Sequence, residues 1–337
     1  MSTILVTGGA GFIGSSLIDE LLRANKKVVA VDNFNNYYNP KIKENYIKEI
    51  LYNMTRLSIE PDNFTLYRED IRNRNKMEEI FKKHEISIII HLAAMAGVRS
   101  SIENPDLYYD ININGTLTLL EAARKNGVDK FIFASSSSVY GNNKKVPFSE
   151  DDPVDQPISP YAASKKAGEL ICYTYHHLYE MSIACLRFFT VYGPRQRPDL
   201  AINKFTQLIM TGQPIPVYGN GSTQRDYTFI GDIIDGIMKT IDWINKEEKQ
   251  YEIFNLGESK TITLNEMIAT IERALDIQAV VNRLPIQPGD VDKTFADILK
   301  AKAVLGYQPG KTFEDGINDY IKWLMRYKGD QEGLFLC

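Results

Sequence analysis

Cysteine and histidine are scarce in this sequence, with 3 residues of the first type and 4 of the second in a chain of 337. The cysteines Cys172, Cys185 and Cys337 show no paired spacing, which argues against both a disulfide scaffold and a zinc site. The histidines form no HExxH or other metal-ligand pattern. We therefore expect no bound metal and a reducing compartment, with Cys172 and Cys185 as small core residues.

Long apolar runs and an excess of positive charge are also missing. No apolar segment approaches the ~20 residues of a membrane-spanning helix, and the N-terminus does not resemble a signal peptide. The formal net charge is −4, so no large basic field is available to hold nucleic acid. These absences predict a cytoplasmic protein without membrane or nucleic-acid partners, in which any anionic ligand is held by a few local donors.

The sequence does contain a regular alternation of short β-branched runs and longer amphipathic stretches. Strands are predicted at residues 4–6, 28–31, 64–67, 87–90, 131–134 and 182–188, and helices at 12–23, 77–83, 107–124 and 161–179. Alternation of this kind is typical of a parallel sheet covered by helices on both faces. We therefore predict an α/β protein with a Rossmann-type, doubly wound parallel sheet.

The pattern changes after about residue 190, where proline and glycine become frequent. We predict a dinucleotide-binding domain over residues 1–189 and a smaller, mixed α/β substrate domain over 190–337, with segments beyond 228 returning to the first. One such segment is the candidate strand at 251–256. Residues 35–60 are predicted to form a loop followed by a surface helix.

A glycine-rich turn, TGGAGFIG at residues 7–14, follows the first predicted strand and opens the first predicted helix. Glycines permit a tight turn and close approach to a pyrophosphate, and the helix N-terminus offers free N–H groups. Asp32 closes the second strand, where a carboxylate accepts hydrogen bonds from the adenosine ribose and repels a 2′-phosphate. No arginine follows Asp32 closely in the sequence, so NAD is favoured over NADP.

The other candidate cofactor contacts follow the same strand ends. Asp70 and Ile71 follow the third strand and could bracket the adenine, although a helix cap is an alternative role for Asp70. Small residues after the fourth strand would let the cofactor lie against the backbone. The predicted set is Gly8, Gly11, Phe12, Ile13, Gly14, Asp32, Asn33, Asp70, Ile71, Leu92, Ala93 and Ala94.

Tyr161 and Lys165 are spaced to lie on one face of a helix. A nearby ammonium, together with the positive nicotinamide ring, would lower the pKa of the phenol. Tyr161 could then take a proton from a substrate hydroxyl while hydride leaves for NAD⁺. The serines at 135–138 end the fifth strand, at the edge where α/β sheets bind ligands. One of these hydroxyls could orient the reacting oxygen, whereas a polar loop is the alternative for any single serine.

The motifs TGGAGFIG, HLAA, SSSSVYG, YxxxK and LRFFTVYGP occur in the order seen in extended short-chain dehydrogenase/reductases, which this sequence resembles over essentially its whole length. The resemblance implies that Ser136 is the catalytic hydroxyl, Tyr161 the acid/base and Lys165 its partner. It also implies binding roles for Asn112 near the cofactor, Ser137 and Ser138 at the substrate, Arg225 and its neighbour Tyr227 at a UDP diphosphate, and Asp290 at the uridine ribose. Many relatives have arginine where this chain has Gln287.

The residues at 137 and 138 bear on the reaction. Relatives that dehydrate sugars resemble one another in having Asp-Glu at these positions, and those that decarboxylate UDP-glucuronate tend to have Glu in place of Ser138. This sequence has neither acid. The resemblance therefore implies that a 4-keto intermediate is reduced again, which gives epimerisation at C4 with tightly bound NAD.

The segment after residue 187 bears on the sugar. Thr190 stands where galactose-type epimerases have asparagine, and FFTVYGP, RPD, GVRSSIENP and QPGDV are similar to UDP-glucuronate 4-epimerases. In that group a threonine and an arginine hold the sugar carboxylate, and an arginine fork can bind a carboxylate bidentately. Thr190 and Arg197 are the corresponding residues here. Val98, Arg99 and Ser101 are further substrate candidates, and surface ion pairing in a loop is the alternative for Arg195 and Arg197.

Other functions stay open at this stage. The main alternative is a UDP-glucose or UDP-N-acetylglucosamine 4-epimerase, followed by a UDP-glucuronate decarboxylase, a sugar-nucleotide 4,6-dehydratase and a non-catalytic NAD sensor. Relatives pair the helices corresponding to 107–124 and 161–179 into an intersubunit four-helix bundle. The resemblance therefore implies a homodimer.

Overall fold

The computed structural model describes residues 3–285 and 293–333. Its strands are β1 (Thr3–Thr7), β2 (Lys27–Val31), β3 (Phe64–Tyr67), β4 (Ile86–His91), β5 (Lys130–Ser136), β6 (Ser182–Phe188), β7 (Thr190–Tyr192), β8 (Ile215–Tyr218), β9 (Gln224–Arg225), β10 (Tyr227–Phe229), β11 (Tyr251–Leu256), β12 (Ile262–Thr263) and β13 (Val281–Leu284). Its helices are α1 (Phe12–Arg23), α2 (Pro40–Arg56), α3 (Arg74–Lys83), α4 (Val98–Glu103), α5 (Pro105–Tyr109), α6 (Gly115–Lys125), α7 (Pro160–Tyr179), α8 (Ala201–Met210), α9 (Ile230–Ile244), α10 (Leu264–Leu275), α11 (Leu299–Leu305) and α12 (Phe313–Gly333).

The main sheet contains seven parallel strands in the order β11-β6-β5-β4-β1-β2-β3. The strand order reverses between β1 and β4, which opens a crevice at the carboxyl ends of these strands where α/β proteins bind ligands. The predicted Rossmann-type fold is confirmed, and each predicted strand agrees with an observed one to within a few residues. Residues 251–256 also form the predicted edge strand, β11.

Both faces of the sheet are buried, so consecutive residues of each strand enter different cores. Along β1, Ile4 and Val6 pack in the cluster beneath α1 and α9, whereas Leu5 packs in the cluster beneath α3, α6 and α7. Cys172 and Cys185 belong to this second cluster as buried free thiols, as expected. A third apolar cluster joins α8, α10 and α12 beyond the main sheet.

The predicted helix at 107–124 is interrupted. It comprises α5, a π-helical turn at Asp110–Asn114, and α6. The π turn contains Asn112, whose side chain bonds the backbone of Met95 on the loop after β4. The apolar pattern of the sequence did not predict this turn, and such turns occur often at functional sites.

Two composition-based expectations concern membranes and metals. Within residues 3–285 and 293–333, no helix combines the length and the apolar composition needed to cross a membrane. The same part of the chain contains no group of three His, Cys, Asp or Glu side chains arranged to hold a metal ion.

A buried ion pair between Glu169 and Arg187 holds α7 against the sheet. Arg187 on β6 donates to both carboxylate oxygens of Glu169, from Nε at 2.8 Å and from Nη2 at 3.0 Å. Ser135 and Lys166 also donate to this carboxylate, and Arg187 Nη1 donates to the Tyr140 hydroxyl. Burial alone would raise the pKa of Glu169, but the Arg187 hydrogen bonds and charge lower it below its ordinary value.

We expect Arg187→Met to lower the free energy of unfolding by about 3–5 kcal/mol, because the buried Glu169 would lose its bidentate partner and keep only the contacts from Lys166 and Ser135. Since the folded pKa of Glu169 is lowered, the pair stabilises the protein above the carboxyl's ordinary pKa, and this contribution is lost as the pH falls through the folded pKa. Urea unfolding at several pH values measures both effects. Lys125→Met is the control, because the exposed Lys125–Glu78 pair is worth less than about 1 kcal/mol. A similarly small loss in Arg187→Met would contradict the assignment.

Candidate active site

The glycine turn is shaped to admit a pyrophosphate. Gly8 has a positive φ of +70°, and a Cβ atom at Gly14 would collide with the Gly8 carbonyl oxygen. Gly11 occupies the N-cap of α1 without a side-chain cap, so the first N–H groups of the helix, from Phe12 and Ile13 onward, face the turn. A close-packed backbone followed by an uncapped helix N-terminus fits a dinucleotide phosphate.

Asp32 stands at the end of β2 with its carboxylate buried. Its Oδ2 atom accepts from the Ala10 N–H at 3.1 Å, and its Oδ1 atom accepts from the Phe34 N–H at 2.8 Å. The sequence shows no arginine shortly after Asp32, but the fold brings a cation close. The Lys43 ammonium on α2 lies 3.4 Å from Asp32 Oδ1.

The loops after β2 and β3 meet through Asn33, which donates to Asp70 Oδ2 at 2.9 Å. Hydrogen bonds from Arg72 hold the pKa of Asp70 at about 2, so its carboxylate is ionised at neutral pH. The alternative of a helix cap for Asp70 is wrong, because Asn73 is the N-cap of α3. Contacts of Asp70 and of the buried Ile71 with adenine stay predictions.

The buried side chain of His91, for which the sequence predicted no role, supports the loop at residues 92–94 after β4. His91 Nδ1 lies 2.8 Å from Thr7 Oγ1, and His91 Nε2 lies 2.9 Å from Thr116 Oγ1. Thr7 Oγ1 in turn accepts from the Ala93 N–H at 3.1 Å. Burial lowers the pKa of His91 to about 3, so the ring is neutral and serves as a fixed bridge between β1, β4 and α6. This bridge fixes Leu92, Ala93 and Ala94, the predicted cofactor contacts.

Asn112 links the cofactor side of the crevice to the catalytic helix. Its Oδ1 atom accepts from the Met95 N–H at 2.8 Å, and its Nδ2 atom donates to the Met95 carbonyl at 3.0 Å and to Ser164 Oγ at 2.9 Å. Ser164 Oγ donates to the Tyr161 carbonyl. The position of Tyr161 is therefore coupled to the loop that was predicted to bind the cofactor.

Ser136, Tyr161 and Lys165 come together at the carboxyl end of β5. Ser136 hydrogen-bonds the Tyr161 side chain, whose ring packs edge-on against Tyr108. Lys165 Nζ donates to the Ala134 carbonyl at 2.7 Å and lies 6.0 Å from the centroid of the Tyr161 ring. The predicted catalytic residues are therefore neighbours in the fold.

The protein groups alone do not lower the pKa of the Tyr161 phenol, contrary to the expectation for an adjacent lysine. Burial raises this pKa, and the Ser136 hydrogen bond and the Arg197 charge oppose the rise only in part. Burial also lowers the pKa of Lys165 to about 8. Lys165 is therefore a buried cation that loses its charge readily, and its hydrogen bond to Ala134 fixes its ammonium.

A cavity of about 250 Å³ adjoins the serine run. Five predicted substrate residues line it, namely Val98, Ser137, Ser138, Thr190 and Arg225. The remaining lining residues, which were not predicted, are Gly141, Phe148, Ile158, Ser159 and Thr294. Within the part of the chain that the structure describes, the lining combines polar and apolar side chains, with one cation and no carboxylate.

The two arginines after β7 have different roles. Arg195 is buried, and its guanidinium binds Glu49 at 2.9 Å, Asp19 at 2.7 Å and the Ser15 carbonyl at 2.9 Å. It therefore holds the chain after β7 to α1 and α2. The ion-pair alternative applies to Arg195, although the pair is buried.

Arg197 lies nearer the reacting groups, since its charge acts on the Tyr161 phenol. Its Nε and Nη2 atoms donate to Asp199 at 3.0 and 2.6 Å, and Nη2 also donates to the Ala96 carbonyl at 3.3 Å. Its guanidinium lies 5.3 Å from the Tyr37 ring centroid. Arg197 is therefore close enough for its charge to act on Tyr161, and its guanidinium is already hydrogen-bonded to Asp199.

The remaining substrate candidates are placed as follows. Arg99 stacks on the Tyr218 ring at 5.0 Å, and Arg225 donates to the Gln224 carbonyl. Ser101 is buried and donates to the Val98 carbonyl, so its hydroxyl supports α4 and does not line the cavity. Asp290 and Gln287 lie outside the described residues.

Comparison with known proteins places these features in a family. A sequence model described as GDP-mannose 4,6 dehydratase matches residues 5–320. The UDP-glucuronate 4-epimerase of Thermodesulfobacterium geofontis is 43% identical, over 96% of both chains. A UDP-glucuronic acid 4-epimerase from Bacillus cereus, solved with UDP-glucuronic acid and NAD, superposes with a TM-score of 0.86 at 35% identity, covering 96% of this chain and 99% of that one.

A UDP-glucose 4-epimerase from Thermotoga maritima, solved with UDP-glucose, is also similar. Its TM-score is 0.84 at 32% identity, over 96% of this chain and 99% of that chain. The family match extends over nearly the whole chain, and the glycine turn, the serine run and the YxxxK pair occupy the positions that the fold requires of them. The chain therefore belongs to the GDP-mannose 4,6-dehydratase family of the extended short-chain dehydrogenase/reductases.

Proposed function

We propose that this chain is a UDP-glucuronate 4-epimerase, an NAD-dependent enzyme that interconverts UDP-glucuronate and UDP-galacturonate through a 4-keto intermediate. One observation carries the proposal. Ser136, Tyr161 and Lys165 meet beside a cavity that is lined by Ser137, Ser138, Thr190 and Arg225 and by no carboxylate among the described residues. A site that has the acid/base tyrosine but no additional carboxylic acid supports oxidation and re-reduction at one carbon. It disfavours dehydration, which needs such an acid to expel a hydroxyl.

The chain's own residues manage the proton at the C4 oxygen. Bound NAD supplies reversible acceptance of hydride. Tyr161 takes the proton of the C4 hydroxyl and later returns it, while Ser136 holds the same oxygen by a hydrogen bond. Burial raises the pKa of Tyr161, so the positive charges of Lys165, Arg197 and the nicotinamide have to offset that rise before the phenol can act as a base near neutral pH.

The sugar carboxylate creates a second requirement. Oxidation of C4 turns glucuronate into a β-keto acid, which loses CO₂ readily, so the carboxylate has to be held in a poor geometry for C–C cleavage. We assign this role to Thr190, which lines the cavity, and to Arg197, whose charge acts on the Tyr161 phenol. An arginine fork can hold a carboxylate bidentately, and to do so here Arg197 has to share or exchange its contact with Asp199.

The same contact favours one competing function. The Arg197 guanidinium is already paired with Asp199. A neutral sugar, such as the substrate of a UDP-glucose or UDP-N-acetylglucosamine 4-epimerase, would leave this ion pair intact. Turnover of those sugars in preference to UDP-glucuronate would support this second candidate.

Removal of the phenol hydroxyl tests the chemistry. We expect Tyr161→Phe to lower kcat by about 10²–10⁴-fold, because it removes the acid/base group, and to leave the bound NAD content unchanged. Steady-state assays with UDP-glucuronate and cofactor release by denaturation give the two numbers. The control is Tyr52→Phe on the exposed side of α2, which should behave like the unaltered protein. A Tyr161→Phe enzyme with more than a tenth of normal kcat would disprove the role of Tyr161.

Removal of the arginine fork tests the substrate. We expect Arg197→Ala to lower kcat/KM for UDP-glucuronate by roughly 10–100-fold, the loss of about 1.5–3 kcal/mol from one charge-assisted pair. The fall in kcat/KM for UDP-glucose, measured as a control on the same variant, should be smaller than the fall for UDP-glucuronate, because a neutral sugar loses only the effect of the Arg197 charge on Tyr161. An unchanged kcat/KM for UDP-glucuronate would contradict carboxylate binding by Arg197.

We also propose a homodimer, working in the cytoplasm to supply uronic acid for polysaccharides. Helix α7 exposes Leu170, Tyr173, Leu178 and Tyr179, and α5 exposes Leu107 and Tyr109. These apolar side chains lie on the two helices that relatives pair, and their burial in a four-helix bundle would remove apolar surface from water.

Charged substitutions on α7 test the dimer. We expect Leu170→Glu/Leu178→Glu to be a monomer by light scattering at micromolar concentration, because two carboxylates would be buried without partners. Leu299→Glu alters an equally exposed leucine on α11 and should keep the parent's mass. A double variant that stays dimeric would rule out this interface.

A further inference from the structure

Three hydrogen-bond donors surround the side chain of Asp32. They form a compact anion-binding site, which the Asp32 carboxylate itself occupies. Two are backbone N–H groups, from Ala10 at 3.1 Å and Phe34 at 2.8 Å. The third is the ammonium of Lys43 at 3.4 Å. Asp32 and Lys43 are each 7% exposed, so this arrangement is largely shielded from water.

Lys43 is an unusual residue to bury. Helix α2 carries it back toward the end of β2, where its ammonium lies over the Tyr38 ring at 5.2 Å. An ammonium has three N–H donors, and Asp32 accepts from one of them. Burial of a lysine is costly unless its charge is used, and the exposed neighbours Lys41 and Lys48 show that α2 can direct lysines to solvent.

We propose that Lys43 is a further cofactor-binding residue. One hydroxyl group of the adenosine ribose would contact both residues: the Lys43 ammonium donates to its oxygen, and its hydrogen is donated to the Asp32 carboxylate. Together, Asp32 and Lys43 determine the choice of NAD over NADP. This inference depends on NAD use and not on which sugar is bound.

The selectivity follows from the chemistry of the donors. Two backbone N–H groups and one ammonium are what a phosphate requires. A second cation, Arg68, stacks on the Phe34 ring at 4.1 Å and is paired with Glu44. The nearby carboxylate of Asp70 is likewise paired, with Arg72. The carboxylate of Asp32 is the anion already bound to the two N–H groups and to Lys43, so it keeps a 2′-phosphate away from these donors. Removal of this carboxylate should leave a phosphate site whose strength depends on Lys43.

Binding of each cofactor, measured without reference to turnover, tests the proposal. The proteins are the full chain and its variants Asp32→Ser, Asp32→Ser/Lys43→Met, Lys43→Met and Lys48→Met, the last as the matched control on α2. Each is stripped of cofactor, checked for folding by circular dichroism, and titrated with NAD and with NADP by calorimetry. Mass spectrometry identifies the nucleotide that each variant retains from the cell.

We expect Asp32→Ser to bind NADP at least about tenfold more tightly than the parent, as one gained charge-assisted contact implies. Asp32→Ser/Lys43→Met should lose this gain. Lys43→Met should bind NAD about tenfold more weakly, whereas Lys48→Met should bind it normally. Equal NADP affinity in the two Asp32→Ser proteins would overturn the proposal, as would parental NAD affinity in Lys43→Met. If Asp32→Ser does not fold, the comparison of Lys43→Met with Lys48→Met decides.

Discussion

Helix α7 is held against the sheet by charged groups that it buries, and the geometry of the site depends on that attachment. The Lys165 ammonium donates to the Ala134 carbonyl on β5, and one turn later Glu169 binds Arg187 on β6 and Ser135 on β5. Each contact removes a charge from water and is therefore stable only in a closely defined arrangement. Tyr161, one turn before Lys165, is thereby positioned at the end of β5, beside Ser136.

A second set of buried polar contacts couples this helix to the cofactor half. Asn112, in its π turn, bonds the backbone of Met95 and Ser164, while neutral His91 joins Thr7 to Thr116. Neither residue has to touch a reacting atom. Together they fix the distance between the loop on which a nicotinamide would lie and the phenol that would take the proton, which is the positioning that hydride and proton transfer require.

Much of this arrangement could be predicted from the sequence. The strands are recognisable because residues such as Ile88–Ile90 are buried on both faces of the sheet, and the glycine turn and the YxxxK pair are local patterns. The π turn at Asn112 was not predicted, because the apolar pattern was read as one continuous helix over 107–124. The proximity of Lys43 to Asp32 depends on how α2 packs against α1, and the sequence carried no local signal of it.

The two arginines after β7 show the same limit. Arg195 and Arg197 are two residues apart, and the sequence favoured Arg197 as the carboxylate ligand. In the structure Arg195 binds Asp19 and Glu49 inside the protein, whereas Arg197 binds Asp199 and its charge acts on Tyr161. The pKa of Tyr161 is a related case, because burial raises it, and the Ser136 hydrogen bond and the Arg197 charge oppose that rise only in part. Spacing identifies the participants, but the direction of an electrostatic effect depends on the solvation that the fold imposes.

The most direct test of the central claim follows the hydrogen at C4. Purified protein is incubated with UDP-glucuronate that carries deuterium at C4, in ordinary water and without added cofactor, and the products are observed by NMR. The account predicts UDP-galacturonate that approaches an equilibrium mixture and keeps its deuterium at C4, because the hydride is held by bound NAD and returned to the same carbon. Loss of the deuterium to solvent, or a pentose product with release of CO₂, would contradict it.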